Sequence, residues 1–290
     1  GCNNDFKLIL RDFSTYFSPE EISVIPNTSE RYIGFEIGNF RFIDSCKFLN
    51  ASHEALVENL HRSGTDKFHF TKKAFNGSES VFRKGVYPYE YMDKIERFFE
   101  TELPPRSAFY SQLNDRELSE ADYQVAQEAW VEFGCKTLRN YHDHYLKLDV
   151  TLLADVFENF REKAIGAYEL DPAHYWTLPG YSWDACLKYT GVKLELLTDS
   201  EMYLFLEAGI RGGVSMFAHR HAVANNGKGA DPSVPASYLA YWDANNLYGW
   251  AMSQPLPLRN FRWLNDNEVA NFTSHSVLTL DDKSPKNQNL

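Results

Sequence analysis

One carboxylate, Asp149, stands in the middle of an apolar helical surface. At about 100° per residue of an α-helix, Tyr145 and Leu152 lie on the same side as Asp149. An unpaired charge on such a face costs several kcal/mol, so Asp149 requires a cation, a metal ion or a proton as its partner. Tyr145 lies one turn earlier, and the phenol and the carboxylate can together hold a metal-bound water. A hydrogen bond from the tyrosine or a buried Arg would satisfy Asp149 without any catalytic role.

A second carboxylate, Asp243, follows the short apolar run 238–242 and precedes Asn245-Asn246. An Asp at the end of a buried strand projects into the crevice at the carboxyl edge of a sheet, where α/β proteins bind ligands. Mg²⁺ favours such oxygen ligands and keeps several of its waters. Tyr248 follows closely, where its ring can pack against a bound sugar. A structural alternative is that Asp243 caps the Asn-Asn turn.

The elements that must position these residues begin with short strands. Residues 22–25 predict one strand, and residues 32–37 and 40–43 predict a hairpin with Gly38-Asn39 as its turn. A helix is predicted over 51–60. Further on, capping pairs and apolar stripes predict more helices. One lies between Ser119-x-x-Asp122 and Gly134, and a long one covers about 141–168. Another covers 202–208 after the capping box Thr198-x-x-Glu201, and a helix or turn is predicted over 247–252.

The composition permits a packed core and restricts the class of protein. Of the 290 residues 43% are hydrophobic and 15% aromatic, which excludes a disordered tail. The formal net charge is −11, which is unlike a non-specific nucleic-acid coat but compatible with an enzyme that acts on nucleic acid. The window 209–230 contains Arg211, Arg220 and Lys228 and no Asp or Glu, as expected of a phosphate path or of an ordinary solvated loop.

The sequence predicts an intracellular protein that does not act in a membrane. It contains no apolar run long enough to span a bilayer and no visible signal peptide. The four cysteines are far apart, which is typical of reduced thiols rather than of a zinc site or a secreted disulfide framework. The compartment itself stays undetermined.

Two segments carry a resemblance to the family B DNA polymerases. The segment 241–252 resembles motif A, Asp-x-x-Ser-Leu-Tyr-Pro, and it keeps Asp243, Leu247 and Tyr248. The segment Tyr145-Leu-Lys-Leu-Asp149 resembles the third exonuclease motif of the same family, Tyr-x-x-x-Asp.

Two further segments are similar to motifs of the protein-primed branch. Arg211-Gly212-Gly213 is similar to the Tyr-x-Gly-Gly linker between the exonuclease and polymerase domains. Phe42-Ile-Asp-Ser45 resembles the Ser/Thr-Leu motif that contacts single-stranded DNA and the terminal protein. The order and spacing of the four motifs over residues 1–264 resemble the polymerases of Polinton/Maverick transposons and their viral relatives.

The chain departs from the family pattern at several positions. Asn246 and Gly249 replace the serine and proline of motif A, Ile210 replaces the linker tyrosine, and Cys46 replaces a leucine. The first exonuclease motif, Asp-x-Glu on a strand, is missing, since the Asp-x-Glu that precedes Tyr145 lies in a polar segment at 115–117. The second would fall at Asn3, with Asp5 as the nearest carboxylate. The Lys-bearing fingers motif and the Asp-Thr-Asp of the palm are absent too. We therefore expect an internal fragment of a longer polymerase.

The resemblance implies an α/β fold in three parts. Residues 1–170 would form a ribonuclease-H-like 3′–5′ exonuclease domain, incomplete at its N-terminus, in which Asp149 faces the strand 42–44. Residues 171–236 would form a helical connector with the Arg-Gly-Gly linker, and residues 237–290 the start of the palm, with its first strand at 238–242, and a tail.

The resemblance also implies a two-metal phosphoryl transfer with Mg²⁺ or Mn²⁺. Asp243 and the carbonyl of Ala244 would be metal ligands at the polymerase site, where Leu247 and Tyr248 contact the nucleotide. Asp149 would be the metal ligand of the exonuclease site, and Tyr145 would orient its water. The resemblance implies DNA contacts at Ser45, Arg211, Gly212 and Gly213.

The implied partners are a DNA template-primer, deoxynucleoside triphosphates and a terminal protein as primer. Two alternatives stay open at this point. One is a separate 3′–5′ exonuclease. The other is a non-catalytic, domesticated DNA-binding remnant of a transposon polymerase.

Overall fold

The computed structural model describes residues 11–12, 15–28, 31–210, 212–213, 215–273 and 275. The chain divides into two compact units, Gly1–Gly191 and Val192–Leu290. The domain limits expected at 170 and 236 stay predictions. Among the described residues, none of the helices combines the length and the apolar character that a membrane crossing requires.

The α-helices of the described residues range in length from 6 to 31 residues. They are α1 (His53–Arg62), α2 (His69–Ala74), α3 (Glu120–Glu132), α4 (Leu138–Tyr168), α5 (Leu178–Thr190), α6 (Ser200–Gly209), α7 (Leu247–Met252) and α8 (Asp266–Asn271). Short 3-10 helices occur at Pro19–Glu21, Ser45–Lys47, Thr65–Lys67, Ile95–Phe99, Arg106–Phe109 and Pro172–His174.

A small antiparallel sheet opens the first unit, with strands β1 (Ile22–Thr28), β2 (Arg31–Ile37) and β3 (Phe40–Ile43) in that order. The predicted hairpin is confirmed, with Phe35 opposite Phe42 and their rings stacked at 4.5 Å between centroids. Gly38 in its turn has a φ of 54°, a left-handed conformation that glycine adopts without strain. Phe35 and Ile37 are fully buried and anchor the sheet.

The long helix α4 forms because one side of it is apolar and its ends are closed locally. The Thr137 side chain accepts a hydrogen bond from the Asn140 amide, so the helix begins at Leu138, one turn before the predicted start. It ends at Tyr168, as predicted, where Glu169 takes a left-handed φ of 53°. The buried side of α4 includes Leu138, Tyr141, Tyr145, Leu148, Leu152 and Val156.

The hydrophobic core of the first unit is arranged around α4. Leu148, Leu152 and Val156 form one cluster with Val57 and Leu60 of α1 and with four aromatic or branched residues of the segment that follows, which are Phe68, Phe75, Val81 and Phe82. The other end of α4 packs through Leu138 and Tyr141 on a second cluster around Phe109, Ala126 and Cys135. The helix therefore fixes the positions of α1, α2 and α3 relative to its own side chains.

One fully buried carboxylate, Asp155, supports this packing. Its two oxygens accept hydrogen bonds from the amides of Phe70 at 2.8 Å and Thr71 at 2.9 Å, in the first turn of α2. These amides have no partner within their own helix, so Asp155 satisfies them from α4. The carboxylate thereby joins the two helices.

Local capping decides the other helices. The predicted cap of α3 is confirmed, since Ser119 Oγ accepts a hydrogen bond from the Asp122 amide at 3.1 Å, and Gly134 follows the helix with a φ of 59°. The predicted helix over 51–60 is α1, with Ser52 as its cap. The predicted capping box of Thr198 and Glu201 is wrong. Asp199 caps α6, because its carboxylate accepts from the amides of Glu201 and Met202.

The second unit has a locally closed part around α6. Trp263 Nε1 donates to Asp199 Oδ2 at 3.0 Å, and the Trp263 ring meets Phe205 at 5.4 Å between centroids. The Glu195 amide donates to the Leu258 carbonyl at 2.9 Å. These contacts connect the two ends of the segment 195–263 within this unit.

The prediction of a buried strand at 238–242 is wrong. These residues lie outside strands and helices, and Tyr241 and Trp242 are 95% and 89% exposed. A strand needs a partner that hydrogen bonds its backbone, and the described residues of this unit offer none to this segment. The helix or turn predicted at 247–252 is confirmed as α7.

The described residues thus combine many helices with one small antiparallel sheet, a mixture that is compatible with the predicted α/β class. The finer expectation, a ribonuclease-H-like exonuclease domain followed by a palm, stays a prediction.

Candidate functional site

The two elements that build the candidate site of the first unit are α4 and the start of α1. Asp149 lies on α4, and His53 is the first residue of α1, directly after its cap Ser52. His53 Nδ1 lies 2.9 Å from Asp149 Oδ1. The partner that the apolar setting of Asp149 requires is therefore supplied in part by a histidine 96 residues away.

The electrostatic surroundings keep Asp149 ionised. Burial of the carboxylate favours its neutral form, but the hydrogen bond from His53 and the charges of His53 and Lys84 favour the anion more strongly. The pKa of Asp149 therefore lies below its ordinary value of 3.8. At neutral pH the site contains a carboxylate that is 37% exposed and able to accept a further donor or a cation.

Tyr145 lies beside Asp149, one helical turn earlier, and is buried. Its ring stacks on Tyr87 at 4.8 Å between centroids, and its hydroxyl lies 2.5 Å from that of Tyr89. Burial, the hydrogen bond to Tyr89 and the charge of Asp149 all raise the pKa of Tyr145. The residue is a neutral phenol whose hydroxyl can both donate and accept.

An open cleft lies next to this phenol. Its polar lining includes the basic residues Lys84 and Arg116 and the acidic residues Glu54 and Glu117. Tyr87, Tyr89 and Tyr145 line the same cleft, and aromatic faces with cations nearby are suited to a base and its phosphate.

The strand end expected to face Asp149 has a different local role. Asp44 is buried, and its carboxylate accepts from the Cys46 amide at 3.0 Å, which caps the 3-10 helix Ser45–Lys47. The hydrogen bond of Asp149 goes instead to α1, the helix that follows the strand pair. Ser45 is half-buried, and its carbonyl accepts from the amides of Phe48 and Leu49.

The motif A residues lie on an exposed segment of the second unit. Asp243 and Ala244 precede Asn246, whose left-handed φ of 52° leads into α7. Leu247 and Tyr248 begin that helix, and Tyr248 is 87% exposed. The expectation that Asp243 ends a buried strand is wrong, for the reason given above for residues 238–242. The side chains of Asp243 and Tyr248 are accessible to a ligand.

The linker motif is only partly described. Arg211 lies outside the described residues. Gly212 and Gly213 follow α6 as exposed backbone without helix or strand. Arg220 and Lys228, from the same basic window, are exposed as well, as a surface that contacts phosphates requires.

Among the described residues, Asp149 can offer a divalent cation one carboxylate but not the larger ligand set that a metal site needs. The ionised carboxylate is a hard oxygen donor of the kind that Mg²⁺ prefers, and its Oδ2 has no hydrogen-bond donor within the described part of the chain. No three His, Cys, Asp or Glu side chains come together as a metal-binding group in residues 11–275 with the gaps given above. The described residues therefore supply single carboxylates, Asp149 in one unit and Asp243 in the other.

Sequence reasoning missed His53, Lys84 and Tyr89, which surround Asp149 and Tyr145. His53 is a lone histidine at a helix start, and no motif or periodicity links it to a residue on α4. The sequence indicated only that Asp149, as a carboxylate on an apolar face, needs a partner, and it did not indicate which residue that partner is.

Comparison with known proteins finds no match to this chain. No family model, no curated protein and no solved structure matches the chain. The resemblance to family B polymerases is therefore carried by the four sequence motifs alone.

Proposed function

We propose that the chain takes part in DNA-directed DNA synthesis as part of a family B polymerase of the protein-primed branch. The observation that carries the proposal is the distribution of the motifs. The Tyr145–Asp149 pair belongs to the compact unit Gly1–Gly191, and the motif A residues belong to the unit Val192–Leu290. A polymerase with an exonuclease-type domain before its palm requires this order.

In the polymerase unit, Asp243 and the Ala244 carbonyl would hold the catalytic cation. Bound Mg²⁺ or Mn²⁺ supplies activation of the primer hydroxyl and neutralises charge on the displaced phosphates. Leu247 and Tyr248 contact the incoming deoxynucleoside triphosphate. The exposed Tyr248 ring packs under the sugar and excludes a 2′-hydroxyl by its bulk.

In the exonuclease-type unit, Asp149 would hold a cation through its carboxylate. Tyr145 would orient the water that attacks the terminal phosphodiester, and the 3′-oxygen of the preceding nucleotide would leave as the bond from phosphorus to water forms. The arrangement of the two side chains supports these roles. The carboxylate is ionised and partly exposed, while the neighbouring phenol is buried and neutral, so one group can bind a cation and the other can direct a proton.

The DNA contacts are made mainly to phosphates and are insensitive to base sequence. Ser45 and the segment Arg211-Gly212-Gly213 would contact the strand, and Ser45 would also contact a terminal protein. The overall charge of −11 leaves such contacts to local groups of Lys and Arg.

A non-catalytic DNA-binding remnant is the second candidate. It is favoured by one observation, that the described residues bring only one carboxylate to each motif and gather no metal-binding group. The presence of motif A argues against a separate exonuclease.

Complementary losses in two variants test the proposal, in the longer polymerase that the proposed function implies. Asp243→Asn keeps the shape but removes the anionic charge, so we expect it to abolish nucleotide addition and to leave DNA affinity nearly intact. Asp149→Ala is expected to remove 3′–5′ degradation and to spare synthesis. Synthesis that survives Asp243→Asn would contradict the polymerase role. Wild-type DNA binding without either activity would favour the remnant.

A further inference from the structure

The segment 61–84 is basic although the chain as a whole is acidic. It contains six Lys or Arg and two Asp or Glu, a local charge of +4, against −11 for the 290 residues. Both acids lie outside α2, whereas Lys72 and Lys73 lie in its last turn. A concentration of cations on an acidic protein indicates a surface for an anionic partner.

Three lysines lie at the C-terminal end of α2. Lys73 is exposed and forms no ion pair within the part of the chain that the structure describes. Lys147 of α4 is exposed too, and its ammonium donates to the Ala74 carbonyl at 2.7 Å. Lys72 is half-buried, with its ammonium 5.7 Å from the centre of the Phe82 ring. An ammonium has three donors, so Lys73 and Lys147 both keep donors for a phosphate.

An aromatic ring is exposed on the outer face of α2. At about 100° per residue, His69, Phe70 and Lys73 lie on one side of the helix, and all three are exposed. Phe70 is 47% exposed, whereas Thr71, on the opposite side, is fully buried. An exposed ring beside an ammonium can bind an unpaired base by stacking and its phosphate by charge.

The backbone that carries this ring is fixed by the core. The Phe70 amide donates to Asp155 Oδ1 at 2.8 Å, and the Thr71 amide donates to Asp155 Oδ2 at 2.9 Å. Asp155 lies on α4, the helix that also carries Lys147. The ring and the lysines are therefore arranged on one rigid support before a ligand binds, which lowers the ordering cost of binding.

We propose that the outer face of α2, with Phe70, Lys73 and Lys147, binds single-stranded DNA. A base stacks on the Phe70 ring, and the neighbouring phosphates contact Lys73 and Lys147. A single strand fits this face better than a duplex because its bases are free to stack, and better than an acidic peptide because carboxylates alone would not use the ring. The surface goes beyond the DNA contacts of the proposed function, Ser45 and the linker 211–213. Only the choice of DNA over RNA rests on that function.

Two substitutions on α2 separate stacking from charge. Phe70→Leu removes the ring and keeps an apolar side chain, and Lys73→Gln removes the charge and keeps most of the length. Phe99→Leu is the control for an exposed phenylalanine, in the 3-10 helix Ile95–Phe99. Lys163→Gln is the control for an exposed lysine, about 24 Å from Lys147 along α4. Thermal unfolding followed by circular dichroism shows which variants are folded.

The probe is a fluorescein-labelled oligodeoxythymidylate, whose anisotropy is followed as the 290-residue chain is added in EDTA at several salt concentrations. We expect Phe70→Leu to weaken binding by about 5-fold or more and to leave the salt dependence unchanged. Lys73→Gln should weaken binding and reduce the slope of log affinity against log salt concentration by about 0.7, because one phosphate contact is lost. Both controls should bind as wild type does.

An abasic strand of the same length isolates the stacking contribution. Phe70→Leu should bind this strand as tightly as wild type does, while Lys73→Gln should remain weakened. Wild-type affinity for oligodeoxythymidylate in either variant, or no binding by the wild-type chain at low salt, would overturn the proposed surface. Tighter binding of oligouridylate than of oligodeoxythymidylate would overturn the choice of DNA. These results are distinct from those of Asp243→Asn, which tests the proposed function separately.

Discussion

His144 makes the stability of the first unit depend on pH. Its ring lies on α4, stacked on Phe133 at 4.0 Å and edge-on to Phe75 at 5.2 Å between centroids. Burial lowers the pKa of His144 from 6.5 to about 4, with Glu132 opposing the shift and Lys147 adding to it. The folded protein therefore holds a neutral imidazole at a pH where the unfolded chain already binds a proton.

The sign and size of the effect follow from this difference. The contribution of His144 is complete above pH 6.5 and is lost as the pH falls from 6.5 to about 4, because the unfolded state binds the extra proton. Each pH unit in that range is worth about 1.4 kcal/mol, and the partial exposure of the ring reduces the total, so the loss is about 2–3 kcal/mol.

His144→Phe removes the titrating group and retains the aromatic contacts. The assay is urea unfolding followed by circular dichroism between about pH 7 and pH 4, and the measured quantity is the free energy of unfolding of wild type minus variant. We expect this difference to fall by about 2–3 kcal/mol over the range. His69→Gln is the control for removal of a histidine, because His69 is exposed on α2 and lacks the buried ring contacts of His144. A flat difference for His144→Phe would refute the reasoning.

Two further expectations concern the core carboxylate and the activity of the chain. Asp155→Ala leaves the amides of Phe70 and Thr71 without acceptors and should lower the free energy of unfolding by about 3 kcal/mol. Asp143→Ala is the control, at an exposed position of α4, and should lower it by less than about 1 kcal/mol. Equal costs would show that the two amides find other partners. The purified 290-residue chain should neither extend a primer nor degrade single-stranded DNA, because its motifs provide single carboxylates where two-metal chemistry needs sets. Robust Mg²⁺-dependent incorporation by this chain would contradict that expectation.

The predictions that the structure confirms depend on neighbouring residues. The hairpin follows from alternating apolar residues around Gly38-Asn39, and α3 follows from the Ser119 cap three residues before Asp122. Both signals act over a few residues, so the sequence contains all the information that the backbone needs. The cap of α6 shows the limit of such signals, because Thr198 and Asp199 are adjacent candidates and only the geometry selects Asp199.

The features that sequence reasoning missed depend on contacts between distant segments. An apolar run such as 238–242 forms a strand only where another strand pairs with it, and the run itself contains no information about that partner. Asp149 and Asp155 look alike in the sequence, as carboxylates on an apolar helix. The positions of α1 and α2 decide that one meets a histidine and the other caps a helix.

Tyr248 provides the most direct test of the assignment of motif A to residues 241–252. The measurement is the ratio of ribonucleotide to deoxyribonucleotide incorporation at fixed Mg²⁺, compared between the longer polymerase that the proposed function implies and its Tyr248→Val variant. Because the bulk of the ring rejects the 2′-hydroxyl, we expect the variant to raise this ratio while it retains DNA synthesis. An unchanged ratio with synthesis retained would show that Tyr248 does not lie under the sugar, and it would contradict the assignment of motif A on which the proposed function rests.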